Sequence, residues 1–165
     1  MPYVTRVESS GNTVTKDKYF TRERTQRPKL VQQICSNFKT GDIAITLSYA
    51  ADGEETSGAD RMAQLDEFIR NLRKNYRAAG KELKYAAVPV YNLYVSNKID
   101  RVDLIANGIG DAAETVELLQ NCWNHGESRI CSVRSHEQLK KIAKCMESLR
   151  TGRYHISKNI AKAGQ

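Results

Sequence analysis

The sequence predicts an α+β fold in which a central antiparallel β-sheet is covered by helices, and three observations carry that prediction. Residues 43–49 and 101–107 alternate apolar and polar side chains with the period of two that a half-buried strand requires. Four other stretches repeat apolar residues at helical spacing, several of them behind capping residues. The resulting order, β-β-α-β-α-β-β-α-β-α, contains no repeating βαβ unit. Strands joined by short loops therefore pair antiparallel, with the helices packed over them.

Taken in order, residues 3–7 and 13–20 read as short strands around a turn at Ser10, Gly11 and Asn12. Residues 21–40 begin basic and then, after Pro28, take up helical spacing at Leu30, Val31, Ile34 and Phe38. Gly41 and Asp42 turn the chain into the strand 43–49. It places Ile43, Ile45, Leu47 and Tyr49 on one face and Ala44, Thr46 and Ser48 on the other. A polar loop leads to a long helix over 59–79, with Ser57 and Asp60 as an approximate capping box. Its stripe is Met62, Leu65, Phe68, Ile69, Leu72 and Tyr76, and Gly80 stands at the C-terminal cap position. Arg70, Arg73, Lys74 and Arg77 favour the negative end of this helix's dipole.

The next strand is read around Tyr85, Val88 and Val90, with Pro89 marking an edge or a bulge. In 101–107, Val102, Leu104 and Ala106 share one face and Arg101, Asp103 and Ile105 the other. Two ligand-bearing side chains one pleat apart suit a metal, but a cation beside a carboxylate also suits a neutralised pair on a strand face. Asp111 and Glu114 form a capping-box pattern for a helix to about residue 124, burying Val116, Leu119 and Trp123 and ended by Gly126. Residues 128–133 read as a strand. Ser135 and Gln138 cap a last helix with the stripe Leu139, Ile142, Ala143, Met146 and Leu149. Residues 1–150 read as one domain and 151–165 as a basic C-terminal tail.

The 165 residues carry a net charge of +7, unevenly placed. Residues 1–41 hold eight Lys/Arg against three acids, and residues 134–165 hold eight against two. Residues 42–133 hold ten against fourteen. Two basic ends around a mildly acidic body fit a polyanionic partner such as nucleic acid, or serve solubility alone. Arg22, Arg24, Arg27, Lys29, Lys140, Lys141, Lys144, Arg150, Arg153 and Lys158 are the candidate phosphate contacts. No apolar run approaches the roughly 18 residues that span a bilayer. Cys35, Cys122, Cys131 and Cys145 contain no CxxC pair, so the expectation is a cytoplasmic protein with reduced thiols and no membrane partner. Cys122, His125, Cys131 and His136 form a weak zinc candidate whose spacing fits no common knuckle. No P-loop, GxGxxG or HExxH is present.

Several phrases, in order along the chain, resemble one family. They are SNFKTGDIAITLSY (36–49), FIRNLRKNYRAAGKELKY (68–85), LLQNCWNHG (118–126) and Ser157, Lys158, Asn159, Ile160. Together they resemble the rolling-circle replication-associated proteins of Firmicutes phages and plasmids, whose nuclease domain is of the HUH type. The resemblance implies an HUH-nuclease-like sheet. In that family two histidines and a glutamate hold a divalent metal, and a helix-borne tyrosine attacks the scissile phosphate. At the matching positions this chain has Val90 for the glutamate, Arg101 and Asp103 for the histidines, and Cys145 for the tyrosine.

The expected function is therefore that of a catalytically inactive relative from a mobile element, without cofactor or metal. It binds single-stranded or hairpin DNA and does not cleave it. One alternative is a phage-borne inhibitor acting on a nucleic-acid-processing host complex, such as a CRISPR effector. Another is an active single-strand nickase with a rebuilt site, using Asp100 and Asp103 as oxygen ligands and Tyr91, Tyr94 or Tyr154 as nucleophile.

Overall fold

The computed structural model describes residues 29–50, 58–95, 98–150 and 154–160. The two strands expected at 3–7 and 13–20, the Ser57 cap, Arg22, Arg24, Arg27 and Arg153 lie outside the described residues. Within them the fold is α+β. The elements run α1 (29–37), β1 (Ile43–Ser48), α2 (Gly58–Ala78), β2 (Tyr85–Tyr91) and β3 (Ile99–Ala106), then α3 (Ala112–Cys122), β4 (Ser128–Ser132), α4 (His136–Leu149) and β5 (His155–Ile156). The five strands form one antiparallel sheet in the order β4-β1-β3-β2-β5. Among the described residues no helix is long and apolar enough to cross a membrane.

Strand alternation sorts the core into two layers. Ile43, Ile45 and Leu47 of β1 and Val102, Leu104 and Ala106 of β3 face α2 and α3, against Leu65, Phe68, Leu72, Tyr76, Leu119 and Trp123. Ile105, Ala86 and Val88 face the other way, against Leu30, Ile34 and Phe38 of α1 and Leu139, Ala143 and Met146 of α4. Most of each apolar stripe read from the sequence is thus spent on one face of the sheet, with Val31, Met62 and Ile142 at the margins of these clusters and Leu149 half-buried outside them.

Several details depart from the sequence reading. β2 has no single buried face: Tyr85 to Val88 are all buried, because helices cover both sides of the sheet there. The irregularity expected at Pro89 falls one pair further on and in the opposite strand. Val90 pairs with Arg101 and Tyr91 with Ile99, which leaves Asp100 without a partner on β2. That bulge turns Ile99 to the same side as Val102, and Ile99 joins the α2 core. Asp111 occupies the N-cap of α3 but its carboxylate caps nothing. The fully buried Thr115 holds that turn instead, its hydroxyl donating to the Asp111 carbonyl and accepting from the Ile109 N–H. Val116 is only half-buried, and Thr115 and Cys122 take the inward positions beside Leu119.

Residues 154–160, read from the sequence as part of the basic tail, join the sheet. β5 pairs with Ala86 and Ala87 of β2. The Tyr85 N–H donates to the buried Ser157 hydroxyl at 3.0 Å, and the Ser157 N–H donates to the Tyr85 carbonyl at 3.0 Å. The C-terminal cap of α2 and the N-terminal cap of α4 are as expected. Gly80 has φ +79° and follows α2, and the Lys81 N–H reaches back to the Tyr76 carbonyl. Gln138 N–H donates to Ser135 Oγ, while Gln138 Oε1 accepts from Arg134 N–H.

Gly126 lies beyond the end of α3, which stops at Cys122, and has a different function from a helix stop. The backbone of 125–127 runs against the end of β1. Ser48 N–H donates to Glu127 O, Ala50 N–H to His125 O, and the Trp123 indole N–H to Ser48 O. A Cβ at position 126 would overlap the Ser48 carbonyl oxygen and sit 2.8 Å from Ala50 N. Gly126→Ala is therefore expected to lower stability by about 1–3 kcal/mol or more, read as a lower urea midpoint; an unchanged midpoint would contradict this packing. Ser157→Ala should cost about 1–3 kcal/mol, because it leaves the buried Tyr85 N–H without its acceptor. A tail that contributed nothing to the fold would show no change.

Candidate functional site

The two helical layers do not cover the sheet equally. On the α1/α4 side the apolar packing reaches Ala86, Val88 and Ile105 and stops. Beyond it the same face presents Thr46 and Ser48 of β1, Arg101 and Asp103 of β3 and Arg129 and Cys131 of β4. These line an open cleft of about 800 Å³, bordered by Ile142, Cys145 and Met146 of α4. Antiparallel register sets the rows: Arg129, Thr46 and Asp103 stand side by side across three strands, and Ser48 stands beside Arg101. Val90 is the partner of Arg101 on β2, so it projects from this face as well.

The four positions that the resemblance matches to the family's metal ligands and nucleophile thus converge. Arg101, Asp103 and Cys145 line one cleft, with Val90 in register at its edge. Arg101 Nε lies 3.4 Å from Asp103 Oδ1, with the arginine side chain 37% exposed and the aspartate 13%. The Thr46 hydroxyl donates to the same carboxylate oxygen at 3.4 Å. Asp103 is therefore occupied by a neighbouring cation and a hydroxyl. Asp100 is exposed on the bulge and accepts from Asn92 Nδ2.

The proposed replacement nucleophiles are elsewhere. Tyr91 packs against the α2 core. Tyr154 donates its hydroxyl to Gln33 Oε1 at 2.9 Å under the guanidinium of Arg150, and burial pushes its pKa up. Tyr94 sits 92% exposed in the loop joining β2 to β3. Among the described residues no group of three or more His, Cys, Asp or Glu side chains is placed to hold a metal. Cys122 is buried beneath α3, and His125 pairs with Glu67 at 3.1 Å.

No family model, curated protein or solved structure corresponds to the chain.

The candidate phosphate contacts that are described fall into separate groups. Lys140 and Lys144 act on the Cys35 thiol of α1, whose pKa is raised by burial and lowered by these two cations, so they lie along the α1–α4 boundary. Lys29 opens α1 and is exposed. Lys141 stands one turn before the cleft-lining Cys145 and is exposed. Arg150 is committed to Glu147 at 3.4 Å and to the Tyr154 ring. Lys158 lies in a different pocket, beside Arg73 and Arg77.

Sequence reasoning missed Arg129 and the site roles of Thr46 and Ser48. The signal was present in β1, whose outward residues are small and polar where a covered face would be apolar. It was weak in β4, whose five residues alternate between half-buried and exposed.

A double-mutant cycle on Arg101→Ala and Asp103→Ala should give a coupling of roughly 0.2–1 kcal/mol, the range of partly solvated pairs. A coupling near zero would mean that the two side chains do not meet in solution.

Proposed function

We propose that this chain binds single-stranded nucleic acid across the cleft of β4, β1 and β3 and does not cut it. On this reading it is an HUH-like relative of the rolling-circle replication proteins. One observation carries the proposal. Val90, Arg101 with Asp103, and Cys145 come from three elements and meet around one open cleft, where a guanidinium stands beside the carboxylate instead of a metal-ligand set.

The physical logic runs from charge. Arg101 and Arg129 offer forked donors to backbone phosphates, and Thr46 and Ser48 add hydroxyls between them. Asp103 and Glu127 balance the charge of the two arginines within the cleft, and Asp103 holds Arg101 in place. A phosphodiester in this cleft would meet donors but no activated hydroxyl. Lys141 extends the positive rim along α4.

The test is fluorescence anisotropy with a labelled single-stranded oligonucleotide, over a salt series and with Mn²⁺ present. Affinity should fall steeply with salt, and Arg129→Ala should weaken binding by about 1 kcal/mol or more, with a shallower salt slope. No covalent protein–DNA adduct should form. Undiminished binding by Arg101→Ala, Arg129→Ala double variants would overturn the assignment of the cleft, and a covalent adduct would favour the nickase reading.

A second reading is favoured by one feature. Asn92 Oδ1 accepts from the N–H groups of Tyr94 and Val95 at 2.7 Å each, which fixes a turn that leaves Leu93 84% and Tyr94 92% exposed. An ordered apolar tip suits docking into a protein partner, as an inhibitor of a nucleic-acid-processing host complex would require. Leu93→Ser with Tyr94→Ser should then abolish inhibition of such a nuclease and leave DNA affinity unchanged. Loss of DNA affinity instead would place the tip within the nucleic-acid site.

A further inference from the structure

On the opposite face of the sheet, at its other edge, the last turns of α2 meet the segment following β5. A notch of about 450 Å³ opens there, lined by Arg73, Arg77, Lys158, Glu82 and the Tyr85 ring. Its neutral polar side chains are already engaged: Ser157 Oγ with the Tyr85 backbone, and Asn159 Nδ2 with the Leu83 carbonyl. Three cations remain against one carboxylate, and among the described residues none of the three forms an ion pair.

That arrangement is unfavourable by itself. Arg73 and Arg77 are four residues apart on one helix, a spacing at which like charges repel. The negative end of the α2 dipole offsets part of this for Arg77, the basic residue of the last turn. It gives no reason for Lys158, which arrives from a segment some eighty residues later and is brought there by the pairing of β5 with β2. Arg73 also lies against the Tyr85 hydroxyl, so this guanidinium is held at the wall of the notch.

We propose that the notch is an anion site for a phosphate group, gripped by Arg73 and Arg77 from α2 and by Lys158 from the segment after β5. Two arginine forks and an ammonium converging on a concave surface match the tetrahedral oxygens of a phosphate, from a free monoester or from a nucleic-acid backbone. The site is independent of the cleft, which lies on the other face.

The test titrates the full chain with inorganic phosphate at constant ionic strength, followed by calorimetry and by thermal shift. Arg77→Glu and Lys158→Glu, both at exposed positions, should each weaken binding by about tenfold or more with unchanged circular dichroism. Arg70→Glu, on the exposed side of α2 outside the notch, and Arg129→Ala in the cleft should leave phosphate affinity as it was. A nucleoside 5′-monophosphate and an oligonucleotide without terminal phosphates then distinguish the sources. Loss confined to the monophosphate assigns a free monoester, and a parallel loss for the oligonucleotide assigns the backbone. No phosphate binding, or equal weakening by Arg70→Glu, would overturn the site, whatever the outcome at the cleft.

Discussion

The alternation of β3 between its two faces is the constraint on which the molecule depends. As the central strand it sends Val102, Leu104 and Ala106 into the α2 core, and those three positions are fully committed to burial. Its other face is divided: Ile105 sits beneath α1 and α4, while Arg101 and Asp103 stand beyond their reach. Period two leaves no freedom to move these polar residues without turning the core residues outward. The cleft is therefore a consequence of where the second helical layer ends, and its chemistry is set by the two strand residues left uncovered.

The bulge at Asp100 makes this arrangement possible. By taking one residue out of register it places Ile99 with Val102 in the core. Asn92 is the residue that closes that loop, bonding Asp100 with its amide nitrogen and the tip's N–H groups with its oxygen. Loop order and strand order are thus linked through one short side chain. At the other end of the same hairpin Asn107 performs a similar task, accepting from Lys84 N–H and donating to the Glu82 carbonyl.

Much of the fold was legible because most elements are long and strictly patterned. β1, α2 and α4 announce themselves through their apolar spacing, and the Gly80 and Ser135 caps follow from local chemistry that needs no tertiary context. β5 was not legible: two residues carry no periodicity, and His155–Ile156 is a strand through its pairing with Ala86 and Ala87, beside the bond from Tyr85 N–H to Ser157. The cap of α3 misled because Asp111 and Glu114 have the right spacing, yet Thr115 supplies the bonds from inside the turn. For the site, Arg101 and Asp103 could be read as a side-by-side pair from one strand. Arg129 could not be joined to them, since strand order β4-β1-β3 is a property of the folded sheet. The Arg73–Arg77–Lys158 notch was hidden for the same reason.

The central claim is that nucleic acid lies across the uncovered half of the sheet. Backbone amide chemical-shift mapping, during titration of the labelled full chain with a short single-stranded oligonucleotide, tests it most directly. The account predicts that the largest changes cluster at Thr46, Ser48, Arg101, Asp103 and Arg129, with Lys141 and Cys145 of α4 at their border. Changes confined to α2 and α3, with those strand amides unmoved at saturation, would contradict it.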